Sequence, residues 1–473
     1  MSNTSGFLFR ERTFVPIQLL LKNRILLTQR LIVSKHLYND YLMNTQLSNL
    51  KVRSLAIKVA SRCNLNCSYC YIYNMGDNTY LKQPKFMNEM VEDALLEKVL
   101  RHCQHHALKK FFFVFFGGEP LLAGTQAIRR FVEKANALFL PLGIIPEYGV
   151  QSNGVLIDDE WCELFAELDI LVGISLDGMP EINDMYRVDH KGRGSYHQAV
   201  QGLKVTQNSL AMRKKFMKAS INSVINLDAD PIEVYEHFKL LGAQVDFLLP
   251  DANYFQPPPG LENTDGSNID WNNTPYADWL IPIFNQWFYE KEPKSKISIF
   301  KYIMILIFGG NIANDHFGKE RCELLIIETN GDIEATDSFK ACGQGFTESN
   351  VNVLQNDLDE ALQSELSVMY QFAKDKLCKQ CNVCPVKDIC GGGFIVNRYS
   401  EKNGFNNPSI YCADLLKLIT HIQNKIMEEL PDEMVTQHEI SAMTYEEAQQ
   451  IIKERLHEDL ALEYAADLEN FKK

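Results

Sequence analysis

Long apolar runs are missing from this sequence. The stretch from Phe14 to Leu27 comes closest, but Lys22, Asn23 and Arg24 interrupt it. It is too short to cross a bilayer, which needs about 20 consecutive apolar residues. No secretory signal peptide is recognisable either. These absences predict a cytoplasmic protein with no membrane partner.

Positive charge is also scarce. Lys and Arg number 47 against 61 Asp and Glu, which gives a formal net charge of -14. A general nucleic-acid binder needs a basic face, so this balance argues against nucleic acid and suits a peptide partner that carries positive charge. Low-complexity tracts are absent, and 46% of the 473 residues are hydrophobic. The chain is therefore long and apolar enough for one large globular domain with one or two smaller ones.

Disulfides are not expected, because a cytosolic chain keeps its thiols reduced. Twelve cysteines are nonetheless present, which favours metal or redox chemistry. Three of them lie at positions 63, 67 and 70, and seven lie between positions 322 and 412. Cys103 and Cys162 stand apart on predicted helices, where we expect them to be buried packing residues.

Short apolar runs alternate with amphipathic helices from residue 55 onward. Such runs are typical of parallel strands that are buried on both faces. The six predicted strands are Leu55–Ala60, Phe111–Phe116, Glu147–Gln151, Ile170–Ser175, Lys218–Ile225 and Val245–Leu249. Six strand–helix units predict an α/β fold, an open (β/α)6 partial TIM barrel, with its chemistry at the carboxyl ends of the strands.

Domain boundaries and helix ends are predicted from the same patterns. We expect an N-terminal extension over 1–50, the partial barrel over 51–260, a helical bridge over 261–320, a cysteine-rich domain over 321–415 and a helical tail over 416–473. Asn88 and Thr125 are predicted to cap helices, and Thr444 with Glu447 to form a capping box.

The first cysteine group follows the first predicted strand directly. Its sequence is Cys63-Asn-Leu-Asn-Cys67-Ser-Tyr-Cys70, so three thiolates share one tight loop. Three thiolates can hold three irons of a cubane cluster and leave the fourth iron open. The alternative is a zinc loop, but structural zinc sites use four closed ligands, and no fourth ligand is near. The spacing therefore favours an iron–sulfur cluster.

This spacing, with an aromatic residue before the last cysteine, resembles the signature of the radical S-adenosylmethionine (SAM) superfamily. The resemblance covers roughly residues 51–250 and includes three motifs in the family's order: Phe116-Gly-Gly-Glu-Pro120, Gln151-Ser-Asn-Gly154 and Gly173-Ile-Ser-Leu-Asp-Gly178. Each motif alone is also typical of a turn at a strand end. Together they imply a 4Fe–4S cluster whose open iron binds SAM, and reductive cleavage of SAM to a 5′-deoxyadenosyl radical.

The resemblance also implies which residues contact SAM. Glu119 and its neighbouring backbone hold the amino group, Ser175 lies near the ribose, Arg187 faces the carboxylate, and the Tyr69 backbone faces the adenine. The implied SAM contacts are Tyr69, Gly117, Gly118, Glu119, Ser152, Asn153, Ser175 and Arg187.

The second cysteine group resembles the SPASM domain, the auxiliary-cluster module of radical SAM peptide maturases. Cys381, Cys384, Cys390 and Cys412 match the ligands of one auxiliary 4Fe–4S cluster. A zinc knuckle is the alternative, since Cys-x2-Cys pairs with nearby glycines also suit zinc. The resemblance therefore implies at least one auxiliary cluster.

The chain departs from the SPASM pattern at two positions. Thr336 and Phe394 stand where many members have cysteines that bind a second auxiliary cluster. Three other cysteines could supply a variant of that cluster or be ordinary thiols: Cys322, Cys342 and Cys378. Asp337 stands where an acid in related maturases acts as the general base, although a turn aspartate is equally expected there.

Four segments resemble one SPASM subgroup, whose enzymes join an aromatic ring carbon to a nearby Cβ in a ribosomally made peptide, a cyclophane crosslink. They are Val245–Asn253, Ile327–Asp332, Gly391–Ser400 and Asn407–Cys412. The resemblance implies two partners, a precursor peptide and an electron donor such as a flavodoxin or ferredoxin. Alternatives are oxidation of a sulfatase Ser or Cys to formylglycine, formation of thioether bridges, or a non-catalytic iron–sulfur electron carrier. A carrier has no use for an open iron, so the SAM motifs argue against it.

Overall fold

Parallel strands form the centre of the computed structural model of this chain. The structure describes residues 50–472 except 265, 267, 292–294 and 431–441. The predicted N-terminal extension, residues 1–50, therefore lies outside the described residues apart from Leu50. The described residues belong to one compact unit.

One sheet of eight strands carries the fold. The strands are β1 Ser54–Ala60, β2 Lys110–Gly117, β3 Ile145–Ser152, β4 Ile170–Ser175, β5 Ser220–Val224, β6 Gln244–Leu248, β7 Leu324–Ile327 and β8 Ile333–Glu334. Their order in space is β6-β5-β4-β3-β2-β1-β7-β8, and neighbours are parallel except for the β7–β8 pair. The carboxyl ends of β1 to β6 therefore meet at one edge.

The predicted α/β partial barrel is confirmed, and each predicted strand has its counterpart among β1 to β6. The prediction lacked β7 and β8. These strands have four and two residues, too few to show a period in the sequence. β7 pairs with the open edge of β1, which places the cysteine-rich region beside the barrel.

Helices connect the strands and form most of the rest of the described chain. They are α1 Glu89–His105, α2 Thr125–Phe139, α3 Asp159–Glu167, α4 Pro180–Tyr186, α5 Tyr196–Asn208, α6 Leu210–Lys214, α7 Pro231–Leu240, α8 Pro275–Tyr289, α9 Ser298–Ile307, α10 Leu358–Ala361, α11 Glu365–Gln371, α12 Lys379–Val383, α13 Lys387–Cys390, α14 Cys412–Glu428, α15 Tyr445–Arg455 and α16 Ala465–Glu469. Within the described ranges, no helix is both long and apolar enough to cross a bilayer.

Helix capping was predicted correctly in two of three places. The Asn88 side chain accepts the Val91 amide, and Thr444 forms the capping box with Glu447. The prediction for Thr125 is wrong, because Gly124 is the N-cap of α2 and Thr125 donates its hydroxyl hydrogen to Glu160 instead. Gly124 has φ +82°, a conformation that only glycine adopts readily, so the chain turns one residue earlier than predicted.

The two faces of β2 have different surroundings. Phe111, Phe113 and Phe115 are buried, and the Phe113 and Phe115 rings both contact Phe131 of α2. Phe116 points to the other face, where it lines a cavity. The expectation that the strands are buried on both faces holds for β1 but not for β2, because one face of β2 borders open space. Cys103 and Cys162 are fully buried in packed helices, as predicted.

Candidate active site

Three cysteine thiols line a cavity of about 560 Å³ at the carboxyl ends of the strands. Cys63, Cys67 and Cys70 lie on the loop that leaves β1. The loop is tight, since the Cys70 amide donates to the Cys67 carbonyl over 3.0 Å and the Asn74 amide to the Cys70 carbonyl over 2.8 Å. The three thiols therefore face one space, as the sequence predicted.

Burial raises the pKa of each of these thiols, to about 12 for Cys63 and about 11 for Cys70. A buried thiol with such a pKa ionises at neutral pH only when a metal binds it. Three thiols beside an open cavity fit a 4Fe–4S cluster with one iron left for a small ligand. The donor set therefore suits the predicted cluster.

Two glycines let the second loop approach the cysteine loop closely. The Gly118 amide donates to the Ala60 carbonyl over 2.9 Å, and the Glu119 amide to the Arg62 carbonyl over 3.0 Å. A Cβ on Gly117 would collide with the Ala60 carbonyl, and one on Gly118 with the Arg62 carbonyl. The glycines were predicted to admit SAM, and in the structure they also hold the cysteine loop in place.

Glu119 is completely buried and joins two strand ends. Its carboxylate accepts the Ser152 hydroxyl over 2.8 Å, the Asn153 amide over 2.8 Å and the Leu121 amide over 3.1 Å. Burial raises the pKa of Glu119 to about 7. Glu119 thus fixes the loop after β3, and Ser152 and Asn153 line the cavity beside it.

Asn153 connects the loop after β3 to the cysteine loop. Its side-chain amide donates to the Asn64 side-chain oxygen over 2.7 Å and lies 3.7 Å from the Cys63 sulfur. Further along the cavity wall, the Gln151 amide donates to the Ser175 hydroxyl over 2.9 Å, and Asn222 donates to Gln151 over 2.9 Å. The predicted contacts Asn153 and Ser175 therefore lie on one hydrogen-bonded wall.

Arg187 supplies a positive charge to this cavity. Its guanidinium donates to the Tyr69 hydroxyl over 2.7 Å and lies 4.0 Å from the Asp177 carboxylate. The Tyr69 hydroxyl in turn donates to Asp177, which also accepts the Val224 amide over 2.9 Å. Asp177 belongs to the motif of residues 173–178, but it was not predicted as a site residue. Its role is to hold Arg187 in position.

The second cysteine group encloses a much smaller space. Cys381, Cys384, Cys390 and Cys412 line one pocket of about 20 Å³, together with the apolar side chains of Val386, Leu416 and Ile452. Burial raises the pKa of Cys384 to about 12 and that of Cys390 above its usual range. Four converging thiols fit a cluster whose ligands all come from the protein.

The remaining three cysteines lie in two different parts of the cysteine-rich region. Cys378 accepts a hydrogen bond from the Cys381 thiol, so it belongs to the four-thiol region. Cys322 lies against Tyr370 and Asp315, and the Asn253 amide points to the Cys342 sulfur at 3.8 Å. Cys322 and Cys342 border the same hydrophobic cluster, whereas Cys378 lies with Cys381, so the three thiols do not form one group.

Charged side chains occupy the region where the resemblance placed a second auxiliary cluster. Lys58 of β1 lies 2.7 Å from Glu328 and 3.2 Å from Asp337, and Lys340 lies 2.6 Å from Glu334 and 3.2 Å from Glu328. These five residues, which we call the buried ion network, are all nearly inaccessible to solvent. Burial, followed by the charge of Glu328, raises the pKa of Glu334 to about 7.

The neighbours of the ion network do not fit that cluster either. Thr336 is buried beside the network without a thiol, and the Phe394 ring packs on His316 with ring centroids 4.8 Å apart. The residues present therefore do not suit a second auxiliary cluster. Sequence reasoning did not find the ion network, because Lys58 and its partner Glu328 are 270 residues apart.

Asp337, the base expected from sequence, belongs to this network. Besides its ion pair with Lys58, its other oxygen accepts the Tyr71 hydroxyl over 3.3 Å. Tyr71 lines the cavity, whereas Asp337 lies behind it. Asp251, which the sequence did not single out, lines the cavity itself.

The fold and the site agree with comparisons to known proteins. Residues 57–210 match the family described as the Radical SAM superfamily. The matched range contains the cysteine loop and each motif that forms the cavity wall from β2 to β4. This part of the chain is therefore similar to radical SAM enzymes, and its three thiols beside a cavity suit the iron–sulfur cluster and SAM of such enzymes.

Longer matches cover about three quarters of the chain. The chain is 27% identical to the cysteine-type anaerobic sulfatase-maturating enzyme of Clostridium novyi (strain NT) over 379 residues, which are 77% of this chain and 93% of that enzyme. It is 26% identical to the serine-type anaerobic sulfatase-maturating enzyme of Bacteroides thetaiotaomicron over 388 residues, 77% of this chain and 87% of that enzyme.

A solved structure shares the fold. The structure of native anSMEcpe with bound AdoMet, another name for SAM, matches with a TM-score of 0.65 and 21% identity. The match covers 79% of this chain and 98% of that one. The partial barrel and the region after it therefore form one shared architecture.

Proposed function

We propose that this radical SAM enzyme oxidises a ribosomally made peptide and joins an aromatic ring carbon to a Cβ of a nearby residue. The observation that carries the proposal is the pairing of two thiol sites. One has three thiols and opens on a cavity of about 560 Å³, and the other has four thiols around a pocket of about 20 Å³. The first suits hydrogen abstraction from a bound substrate, and the second suits acceptance of an electron.

The position of the resembling segments supports the crosslink. Val245–Asn253 resembles the cyclophane subgroup, and it forms β6 and the turn after it. Leu248, Pro250, Asp251 and Ala252 of this segment line the cavity. Because a substrate must occupy the same cavity, the resemblance falls on the part of the wall that a peptide would contact.

The cofactors supply one kind of chemistry to this site. When bound, the cluster and SAM provide a 5′-deoxyadenosyl radical, which removes a hydrogen atom from a peptide Cβ. The chain's own residues prepare the place for it. Gly117 and Gly118 fix the cysteine loop, Arg187 offers a positive charge for the SAM carboxylate, and Asn153 holds Asn64 beside Cys63.

The peptide then loses one more proton and one more electron. The carbon radical bonds to the ring, and the ring regains its aromaticity when a carboxylate takes the proton. The four-thiol site of Cys381, Cys384, Cys390 and Cys412 is the place for the electron acceptor. The net change is the loss of two hydrogen atoms from the peptide. An external flavodoxin or ferredoxin delivers the electron that cleaves SAM.

A second candidate function is oxidation of a sulfatase Ser or Cys to formylglycine. The names of the relatives that match most of the chain favour it, because both are sulfatase-maturating enzymes. The ion network argues for a changed chemistry, since it fills a region where the SPASM pattern has cluster ligands. Both candidates act on peptides and oxidise them.

Mass spectrometry with two peptide probes separates the candidates. One probe is the product of a short reading frame next to the gene, co-expressed with the enzyme, and the other is a sulfatase peptide with Ser or Cys. We expect the first probe to lose two hydrogen atoms, to resist fragmentation between the joined residues and to give no adduct with a hydrazide. A hydrazide adduct on the sulfatase peptide, with no change in the first probe, would establish the second candidate instead.

A further inference from the structure

The turn after β6 is fixed to the rest of the molecule on several sides. The Asn253 amide donates to the Ala341 carbonyl over 3.1 Å, and the Gln256 amide to the Met75 carbonyl over 2.8 Å. Asn397 donates to the Ala252 carbonyl over 2.7 Å, and the Tyr411 hydroxyl to the Pro250 carbonyl over 2.8 Å. These bonds flank position 251 on both sides, so its backbone is held at the cavity wall.

Two carboxylates line the cavity in the described part of the chain, and they differ in their partners. Asp177 is occupied by Tyr69, Arg187 and the Val224 amide. Asp251 faces the same space beside Tyr71 and has the Ser338 hydroxyl as a hydrogen-bond donor. A proton released in the cavity can therefore reach Asp251 without breaking an ion pair.

The surroundings of Asp251 suit a base at neutral pH. Burial, then the nearby charges of Asp337 and Asp315, raise its pKa to about 7, against the smaller opposing effect of the Ser338 hydrogen bond. The phenols of Tyr71 and Tyr411 also face it, and both have raised pKa values and stay neutral. General bases work best when their pKa lies near the operating pH.

Asp337 is less suited to take the proton itself. Lys58 already pairs with its carboxylate over 3.2 Å. It does not line the cavity itself, and it contacts the cavity wall through the Tyr71 hydroxyl. Its negative charge nevertheless lies close enough to Asp251 to affect the ionisation of that residue.

We infer that Asp251 is the catalytic base of this enzyme and that Asp337 is a positioning residue that keeps Asp251 basic. The inference rests on the proposed peptide oxidation. In that step the ring C–H bond breaks, and its proton moves to an Asp251 oxygen. One electron of the bond remains and restores the aromatic ring. The other electron would be accepted by an iron–sulfur cluster held at the four-thiol site. Asp251 later returns the proton to solvent.

The test compares Asp251→Asn, Asp337→Asn and the control Asp228→Asn in the cluster-loaded enzyme, with the neighbouring short peptide as probe. Asp228 is exposed after β5 and is not part of the cavity wall. We expect Asp251→Asn to form 5′-deoxyadenosine within about twofold of wild type but crosslinked product at least roughly 10²-fold more slowly, the usual scale of a general base. Asp251→Glu should restore part of the product rate. Asp228→Asn should match wild type.

The pH profile distinguishes the roles of the two aspartates. In the wild type, product formation per 5′-deoxyadenosine should fall as the pH drops through about 7, where Asp251 becomes protonated. Asp337→Asn removes a negative charge and so lowers the pKa of Asp251. In Asp337→Asn, the fall of product formation at acid pH should therefore occur at a lower pH than in wild type, with a near-normal rate at high pH. A residue with only a structural role would not change the pH at which this fall occurs.

Two measurements without turnover complete the test. Fluorescence anisotropy of the labelled peptide on the unreduced enzyme should give the same affinity for Asp251→Asn as for wild type. The melting temperature of Asp251→Asn should exceed that of wild type at pH 7 and above, and the difference should shrink as the pH falls from about 7 to about 4. An acid whose folded pKa is raised stabilises the fold fully only below its unfolded pKa, about 4, and loses that contribution as the pH rises through its folded pKa, about 7.

Several outcomes would overturn the inference. A wild-type product rate in Asp251→Asn would exclude it as the base. A 10²-fold loss in Asp337→Asn at all pH values, with Asp251→Asn unaffected, would assign the base to Asp337. If wild-type enzyme leaves the peptide unchanged while it cleaves SAM, the proposed function fails, and that result is separate from any difference between the variants.

Discussion

The two cysteine regions of this protein differ in the space that surrounds their thiols. Cys63, Cys67 and Cys70 lie on a loop that borders a cavity of about 560 Å³, and polar side chains from neighbouring strand ends form the wall. The four cysteines of the second region enclose about 20 Å³ with aliphatic neighbours. The first region has space for a substrate beside its thiols, whereas the second has four thiols around a much smaller space.

The difference follows from the elements that carry the thiols. The first loop leaves a strand end, where the open barrel gives it a free side. The second group is spread over α12, α13 and the start of α14, which pack against one another and against α15 through Ile452. Ligands from several packed helices enclose a site, whereas ligands from one loop leave a side open. Reactivity toward a substrate thus depends on what surrounds the thiols.

Removing the open site should have the largest effect. Replacing Cys63, Cys67 and Cys70 together with Ala should abolish 5′-deoxyadenosine formation, because no ligand then holds the SAM-binding cluster. Iron analysis should show the loss of about four irons per chain and retention of those in the closed site. Continued SAM cleavage in this variant would refute the assignment of the open site.

Removing the closed site should separate SAM cleavage from crosslink formation. In Cys381→Ala with Cys412→Ala, we expect SAM cleavage to persist while crosslinked peptide is lost, because the electron acceptor is absent. About four residual irons in the open-site triple variant would mean one auxiliary cluster, and about eight would mean that Cys322, Cys342 and Cys378 hold a second one. Zinc in place of iron would show that the closed site is a zinc knuckle.

The ion network offers a third test, in a region that lacks cluster ligands. Lys58→Met should lower the free energy of unfolding by about 3–5 kcal/mol, because it leaves buried carboxylates without their partner. Its iron content should equal that of wild type. Lys110→Met, which removes an exposed Lys of β2 paired with Glu147, should change stability by less than about 1 kcal/mol. Urea unfolding of both variants measures the difference, and equal effects would contradict a stabilising network.

One glycine in each region permits a matched pair of substitutions. A Cβ on Gly118 would collide with the Arg62 carbonyl beside the open site, and a Cβ on Gly391 with the Gly318 carbonyl beside the closed site. Gly118→Ala should slow SAM cleavage by roughly 10²-fold, the scale of a displaced reacting group, and leave the closed-site iron in place. Gly391→Ala should lower the iron content of the closed site and leave SAM cleavage near the wild-type rate. Identical phenotypes would mean that the two regions are not independent.

The smallest effect, on the free energy of unfolding, should come from a contact outside both cysteine regions. His102, His105 and His106 of α1 all bond to the Asp359 carboxylate of α10. Although burial opposes it, hydrogen bonds from these imidazoles hold the pKa of Asp359 below its usual range. Asp359→Asn should cost about 1 kcal/mol at pH 7.

The pH dependence of that loss has a definite sign. An acid with a lowered folded pKa stabilises the fold fully above its unfolded pKa, about 4, and loses this effect as the pH falls further. The difference between wild type and Asp359→Asn should therefore be constant above pH 4 and shrink below it, as measured by urea unfolding. A difference that grows as the pH falls below 4 would contradict the assignment.

Local patterns made much of the fold predictable from sequence. The six parallel strands appear as short apolar runs, and both cysteine groups have ligand spacings that need no knowledge of tertiary structure. Thr125 shows the limit of such reasoning, because its side chain bonds to Glu160 of the next helix and Gly124 takes the cap. Single-residue boundaries depend on contacts that the local sequence does not contain.

Long-range contacts could not be predicted from the sequence for the same reason. Lys58 occupies a buried position in β1, and the carboxylates that balance it lie some 270 residues later. Asp251 follows β6 like many turn aspartates, and only the cavity distinguishes it from Asp228. Sequence predicted which residues bind iron and SAM, whereas the environment of the charged groups required the fold.

The pairing of β7 with β1 also affects the order in which the chain can fold during synthesis. β1 to β6 are complete by residue 248, but one edge of β1 has no partner until residues 324–327 have left the ribosome. During that interval the strand before the cysteine loop presents an open edge, to which other chains can pair. Domains fold from the N-terminus as they emerge, so this edge is the point most exposed to aggregation. Slow translation between residues 248 and 324 should therefore lower the yield of folded protein.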